Sequence, residues 1–344
     1  MQGDRVILVT GAGGFIGHHL AKYLVQQGFK VRGVDIKHPD YEPSPAAEFE
    51  LLDLRRWENC LQATRGVSEV YNLAANMGGV GFIESHKAEI VHDNILINIH
   101  MLEAARLNGI EKFLFASSAC IYPGFKQKSP DIAPLKEEDA YPADAEDGYG
   151  WEKLYTERAC RHYYEDYGLK TYSVRFHNIF GPLGTYDGDR EKSPAAICRK
   201  IALAKPDDEI EVWGDGQQTR SYCFIDDCVT GIYKLMQSNH HEPINLGQDR
   251  MITINELVDI VARIAGKNII KRYDLKKPQG VRGRNSDNSK LRQVLKWEPQ
   301  ITLEKGLEIT YQWIQEQLAK RTPPSENQET SVRSSRNLNE GSWR

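Results

Sequence analysis

A phenol and an ammonium stand four residues apart in Tyr149-Gly150-Trp151-Glu152-Lys153. On a helix that spacing sets both side chains on one face. A lysine held beside a phenol, with a further cation nearby, favours the phenolate and moves the tyrosine toward the pKa of a general base. Alone, the pattern describes a surface tyrosine lying over a lysine stem just as well. Other stretches of the chain shift that balance.

The first of them opens the chain. Arg5 to Thr10 (Arg-Val-Ile-Leu-Val-Thr) is a continuous apolar run of the kind that fills a strand buried on both faces. Gly11, Gly14 and Gly17 follow at intervals of three, with Gly13 extra, and His18 to Gln27 carries Leu20, Ala21, Leu24 and Val25 at helical spacing. Strand, glycine turn and helix together are the setting of a dinucleotide site. The turn lets backbone approach a pyrophosphate, whose charge then sits at a helix N-terminus. A second strand, Lys30 to Val34, ends in Asp35, placed where a carboxylate binds a ribose diol. Asp35 would repel a 2′-phosphate, so NAD is expected rather than NADP, against which stand only the nearby Lys37 and His38.

Further strands are expected over Phe49–Leu52, Glu69–Leu73, Lys112–Ser117 and Lys170–Phe176, and helices over Ala88–Asn108 and Asp147–Tyr167. Small residues, Ala74-Ala75-Asn76-Met77-Gly78-Gly79-Val80-Gly81, follow one strand and let backbone come close to a ligand. Ser117-Ser118-Ala119-Cys120-Ile121-Tyr122 follows another and sets a hydroxyl and a thiol two residues apart on one loop. The 88–108 helix is apolar on more than one face (Ile90, Ile95, Ile97, Ile99, Met101, Leu102, Ala105), as in a helix buried partly against another subunit. Alternation of strand and helix predicts an α/β fold with a doubly wound parallel sheet. After Phe176 the alternation breaks. Residues 1–182 are read as the cofactor domain, with returns near 219–250, residues 183–320 as a smaller interleaved α/β substrate lobe, and the polar residues 321–344 as a disordered tail.

With 344 residues, 40% hydrophobic and 27% charged, the chain can bury a large core. Its net charge of −4 gives no electrostatic reason to expect nucleic acid or an anionic membrane as partner. No apolar run approaches bilayer length, and Met1 to Arg5 leads into a strand without a signal-like segment, so the cytoplasm is the expected address. Six cysteines (Cys60, Cys120, Cys160, Cys198, Cys223, Cys228) lack zinc-type spacing, and no metal is expected.

Glycine turn, Asp35, Ser118 and the Tyr149/Lys153 pair, in that order, resemble the extended short-chain dehydrogenase/reductase family, whose members mostly rework nucleotide sugars on a tightly held NAD bound to a Rossmann-type sheet. The likeness covers about residues 5 to 320. Four stretches resemble the members that invert carbons 3 and 5 of GDP-mannose: Ala75 to Phe82, Ser117 to Pro123, Gly188 to Ala196 and Val281 to Asn288. One departure is Ser193, where alanine is expected after Lys192.

The resemblance implies NAD contacts at Gly11, Gly14, Phe15, Ile16, Gly17, Asp35, Tyr149 and Lys153, with Asp53 against the adenine. It implies substrate contacts at Gly78, Ser118, Cys120, Asn178, Glu191, Lys192, Lys200 and Gln218, with Arg220 and Arg284 on the diphosphate, and a homodimer. The expected chemistry is oxidation at carbon 4, with Tyr149 as base, assisted by Ser118 and Lys153, so that the ketone acidifies the hydrogens at carbons 3 and 5. Inversion then needs a second acid/base pair, a role the resemblance gives to Cys120 and Lys192; a thiol near an ammonium is expected to have a pKa low enough for a base. The implied product is GDP-L-galactose, with GDP-L-gulose from inversion at carbon 5 alone. Rival readings are a 4-epimerase or dehydratase of the same family, or a non-catalytic NAD-binding sensor. A dehydratase of this family usually carries Asp-Glu after its catalytic Thr, where Ser118-Ala119-Cys120 stands here.

Overall fold

The computed structural model describes residues 5–188 and 190–321. Its first half repeats strand and helix: β1 (Val6–Thr10), α1 (Phe15–Gln26), β2 (Lys30–Asp35), β3 (Glu48–Leu51), α2 (Trp57–Thr64), β4 (Glu69–Asn72), α3 (Val80–Ser85), α4 (Lys87–Leu107), β5 (Lys112–Ser118), α5 (Asp147–Tyr167) and β6 (Lys170–Phe176). There follow β7 (Ile179–Phe180), α6 (Ser193–Leu203), β8 (Glu209–Trp213), β9 (Thr219–Ser221), β10 (Cys223–Phe224), α7 (Ile225–Met236), β11 (Ile244–Leu246), β12 (Met251–Thr253), α8 (Ile254–Ala265), β13 (Ile270–Asp274), β14 (Gly283–Arg284), α9 (Ser289–Leu295) and α10 (Leu303–Arg321).

Seven strands form one sheet in the order β11-β6-β5-β4-β1-β2-β3, and every pairing in it is parallel. Parallel strands must be covered on both faces, which is why β1 reads as unbroken apolar sequence. Ile7 and Val9 enter the core beneath α1 and α7, whereas Leu8 enters the core beneath α2, α4 and α5. Strand β1 lies between β2 and β4, so the chain winds away from it in both directions and opens a crevice at its carboxyl end, the place where such sheets take ligands. The stretch 243–247 rejoins this sheet as its edge strand β11. Elsewhere β12-β9-β14 form a small sheet, β7 pairs with β10 and β8 with β13, while α6, α8 and α10 pack on one another.

Helix α4 departs from its reading as an all-round apolar helix. Its buried face carries Asp93, Asn94 and Asn98 beside Ile90, Ile97 and Met101, while Ile95 and Ile99 are only half-buried. Helix α10 continues through Arg321, one residue into the expected tail; residues 322–344 lie outside the described residues. No helix among the described residues is long and apolar enough to cross a membrane.

Candidate active site

The crevice begins at the glycine turn. Gly11 has φ +68°, and a Cβ on Gly17 would stand 2.1 Å from the Gly11 carbonyl oxygen, so the first turn of α1 can lie against the loop only without a side chain there. Gly14 is the N-cap of α1 and no acidic residue occupies the first turn, which leaves the positive end of the helix dipole free of a competing carboxylate. Phe15 and Ile16, half-buried, begin the helix. The Asp35 carboxylate, at the end of β2, accepts from the Gly13 amide (2.9 Å) and from Ile36 (2.7 Å), and burial raises its pKa despite these bonds. Close-approach turn, free helix N-terminus and carboxylate together fit the pyrophosphate and ribose of a dinucleotide. Asp53 is already committed, because Arg55 donates to both of its oxygens at 2.9 Å and holds its pKa down.

Tyr149 and Lys153 share the buried face of α5, as their spacing requires. Gly150 makes that approach possible, since a Cβ there would meet the Cys120 carbonyl oxygen at 2.3 Å. The chain's own groups do not by themselves ease the phenol toward phenolate. Burial, followed by the charges of Cys120 and Glu152, pushes the Tyr149 phenol well above its ordinary pKa, and only the Ser118 hydroxyl opposes this. The Lys153 ammonium lies over the ring faces of Phe115 (4.9 Å) and Tyr149 (5.5 Å) and 3.6 Å from the Glu152 carboxylate. Burial, more than the carboxylate beside the ammonium, thus outweighs a lysine four residues on.

Cys120 caps the same space. Strand β5 delivers Ser118, whose Oγ accepts from the Cys120 amide (3.1 Å), and the thiol packs against Tyr149, Phe82 and Ile90. Of the six free cysteines it alone is not fully buried by the chain's own surface. The expected low thiol pKa is also corrected: burial and the Glu146 carboxylate push it up, and Arg284 and Ser118 only partly offset them. Lys192 is the N-cap residue of α6; burial lowers its pKa, while Cys120 and Cys228 act on it in the opposite sense. The charge of the thiol therefore reaches the amine, and burial disfavours the charged form of both.

Arg220 and Arg284 come from segments 64 residues apart and are register partners across β9 and β14. Arg220 donates to the Thr219 and Gln279 carbonyls (2.8 and 3.1 Å); burial and the neighbouring Arg284 lower its pKa to about 10. Arg284 reaches Cys120 Sγ (3.5 Å), Gln127 (2.8 Å) and Glu146. Its guanidinium therefore borders the thiol. The loop bearing Lys192 is docked on the 76–82 loop: Arg190 lies 3.8 Å over the Phe82 ring and donates to the Met77 carbonyl (3.0 Å), and Gly79 donates to the Arg190 carbonyl (3.1 Å). Gly78 sits against Phe82. Asn178 Nδ2 holds the Ser221 carbonyl (2.9 Å), tying the exit of β6 to β9. Gln218 Oε1 and Glu191 Oε2 are buried polar atoms with no partner among the described residues, available to a ligand. Lys200 is turned away, its ammonium on the Glu211 carbonyl (2.8 Å).

The sequence reading passed over Glu146, Glu152, Asn94, Asn98 and Arg190. Glu152 was the one with a visible signal, a carboxylate inside the Tyr149–Lys153 spacing; the others are recognisable only once α4, α5 and the loops are packed.

Residues 7–247 match the NAD dependent epimerase/dehydratase family. The chain is 49% identical over 316 residues to the GDP-mannose 3,5-epimerase of Arabidopsis thaliana, covering 91% of this chain and 83% of that one. It is 30% identical to the UDP-glucuronate 4-epimerase of Thermodesulfobacterium geofontis, over 90% and 96% of the two chains. The Thermotoga maritima UDP-glucose 4-epimerase, solved with UDP-glucose, superposes with a TM-score of 0.82 at 26% identity over 91% of this chain and 99% of that one. The chain belongs to the NAD-dependent epimerase/dehydratase family, and its cofactor is NAD.

Proposed function

We propose that the protein is a GDP-mannose 3,5-epimerase, converting GDP-mannose to GDP-L-galactose, with GDP-L-gulose formed when carbon 5 alone is inverted. The observation that carries this reading is the convergence of three proton-handling groups, Tyr149, Cys120 and Lys192, beside two register-matched arginines. A simple 4-epimerase needs only the first of the three.

NAD supplies, when bound, acceptance of a hydride from sugar carbon 4 and its later return. Gly11, Gly14, Phe15, Ile16, Gly17 and Asp35 would hold it, with Lys153 on the nicotinamide ribose. Tyr149 takes the carbon-4 hydroxyl proton, with Ser118 beside it. The cationic nicotinamide and a substrate-drawn Lys153 offset the burial that keeps the phenol neutral in the free chain. Once carbon 4 is a ketone, the hydrogens at carbons 3 and 5 become acidic, and Cys120 and Lys192 exchange them. Their shifts suit proton exchange in this sense: burial disfavours the charged form of both, so the thiol holds its proton more firmly and the amine gives its proton up more readily than either does in water. Arg284, touching Cys120, stabilises the negative oxygen that develops between them, and Arg220 holds the diphosphate, with Asn178, Gln218 and Glu191 as polar contacts.

Incubation with GDP-mannose in deuterated water tests the reading. Solvent deuterium is expected at carbons 3 and 5, and label at neither position would end the epimerase assignment. Cys120→Ala and Lys192→Ala should each remove the exchange while leaving bound NAD in place.

Two finer assignments belong to the same reading. The half-buried Ile95 and Ile99 of α4 and the exposed Trp151 and Tyr155 of α5 suit a homodimer in which these helices pair with a second copy; a monomer by light scattering would refute it. Six free thiols suit a reducing compartment such as the cytoplasm.

A further inference from the structure

A buried chain of side-chain hydrogen bonds runs from the residue before the glycine turn to Glu152, three residues from the candidate base. Thr10, the residue before Gly11, donates to Asn72 Oδ1 (2.9 Å), Asn72 Nδ2 donates to Asn98 Oδ1 (3.0 Å), and Asn98 Nδ2 donates to Glu152 Oε2 (3.2 Å). Asn94 Nδ2 donates to the other oxygen, Glu152 Oε1 (2.9 Å). Thr10, Asn72, Asn94, Asn98 and Glu152 are none of them more than 2% exposed. A carboxylate at such depth is costly unless hydrogen bonds and a cation compensate it. The asparagines of α4 supply the first and the Lys153 ammonium, 3.6 Å away, the second, although burial still leaves the Glu152 pKa above the ordinary carboxylate value.

The neighbours make this pairing exclusive among the described residues. From α5 the charged groups at the site are Glu152 and Lys153, and from the turn after β5 there is Cys120, with Arg284 and Glu146 beyond it. Strand β5 offers Phe115, whose ring lies under the ammonium. Helix α4 presents only amides to Glu152, because Asp93 is turned to Arg55 (3.2 Å), His92 (3.0 Å) and the Asn76 amide (3.3 Å).

We propose that Glu152 is a positioning residue for the reaction: its carboxylate, fixed by Asn94 and Asn98, anchors the Lys153 ammonium beside Tyr149 and places a negative charge next to the phenol that must give up its proton. The inference rests on the assignment of Tyr149 as base given above. A negative charge beside a phenol disfavours its ionisation, and Glu152 acts on Tyr149 in that sense, after burial and Cys120. Removing the charge lowers the phenol's pKa, so the acidic limb of the activity profile moves to lower pH.

The test is the pH dependence of kcat/KM for GDP-mannose in the wild-type holoenzyme and in Glu152→Gln. The expected result is a downward move of the acidic midpoint by about one pH unit, the size typical of losing one nearby charge. A glutamine sets an N–H2 against one of the two asparagine donors, so Tm falls as well, but loss of stability alone does not move a midpoint. Turnover lowered equally at every pH, with the midpoint in place, would overturn the proposal. Should Glu152→Gln not fold, Glu152→Met fills the same volume with neither charge nor donor and carries the same expectation. Tyr149→Phe run in parallel separates the two claims. Lost turnover there with an unmoved Glu152→Gln midpoint sinks the positioning role alone, whereas retained turnover sinks the base assignment on which it stands.

Discussion

The crevice has two sides built in different ways. The cofactor side is built on a single continuous segment, Val6 to Asp35, in which strand, turn, helix and second strand follow one another, with β4 and the residues just after it packed against the turn. The substrate side is assembled from afar: Cys120 after β5, Lys192 at the head of α6, Arg220 on β9 and Arg284 on β14. Local construction makes the first side rigid and intolerant of added atoms. Construction from distant segments makes the second dependent on charge balance, since Glu146 and Arg284 act on Cys120, Cys120 acts on Lys192, and Arg284, Glu146 and Cys120 act on Arg220.

The contrast is tested most severely at Gly17. A valine there would drive its Cβ to 2.1 Å from the Gly11 oxygen and 2.6 Å from the Gly11 carbonyl carbon, both backbone atoms that cannot turn aside. NAD affinity should fall by about 100-fold or more, roughly 3 kcal/mol, measured by fluorescence titration of stripped protein. A Gly17→Val protein that still purified with its cofactor would show that the turn is not the close-approach element assigned to it.

Next in size are the arginines, which separate the two sides functionally. Loss of a charge-assisted hydrogen bond costs about 1.5–3 kcal/mol, so Arg220→Met and Arg284→Met should each lower kcat/KM for GDP-mannose by about 10- to 100-fold with NAD affinity unchanged. The loss at Arg220 should lie in KM. At Arg284 kcat should fall too, because its guanidinium touches the Cys120 sulfur. Equal effects at both, confined to KM, would return Arg284 to a purely anchoring role.

The same contrast explains how much was legible. The α/β class, the parallel sheet and the glycine turn were readable because their signals are carried by neighbouring residues: apolar runs, glycines at intervals of three, Asp35 at the end of β2. Tyr149 and Lys153 were readable as a pair, but not the raised pKa of the phenol, which comes first from a burial that α4 and the 118–121 turn complete and then from Cys120 and Glu152. The polar face of α4 escaped because hydrophobic periodicity counts Ile95 and Ile99 and has no way to value an asparagine whose partner lies 58 residues away. Arg220 and Arg284 were recognisable as basic residues suited to phosphate, but their adjacency depends on a strand pairing that nothing in either short segment announces.

The smallest effect falls on the cofactor side itself, where two acidic residues were expected to serve the nucleoside. Asp35 takes backbone donors from Gly13, Ile36 and Lys37, while the Lys37 ammonium goes to Asp40, so among the described residues no side-chain cation bonds the Asp35 carboxylate. Asp53 is gripped at both oxygens by Arg55, which also reaches Asp93 at 3.2 Å. A half-exposed ion pair of this kind contributes about 0–1 kcal/mol and leaves little of the carboxylate's capacity for a ligand. Asp35→Ala should therefore weaken NAD binding by about 10-fold, the worth of a charge-assisted bond to the ribose, whereas Asp53→Asn should change it less than about 3-fold. If Asp53→Asn proved as damaging as Asp35→Ala, the Arg55 pair would have to open on binding, and the cofactor side would share the charge exchange that otherwise marks the substrate side alone.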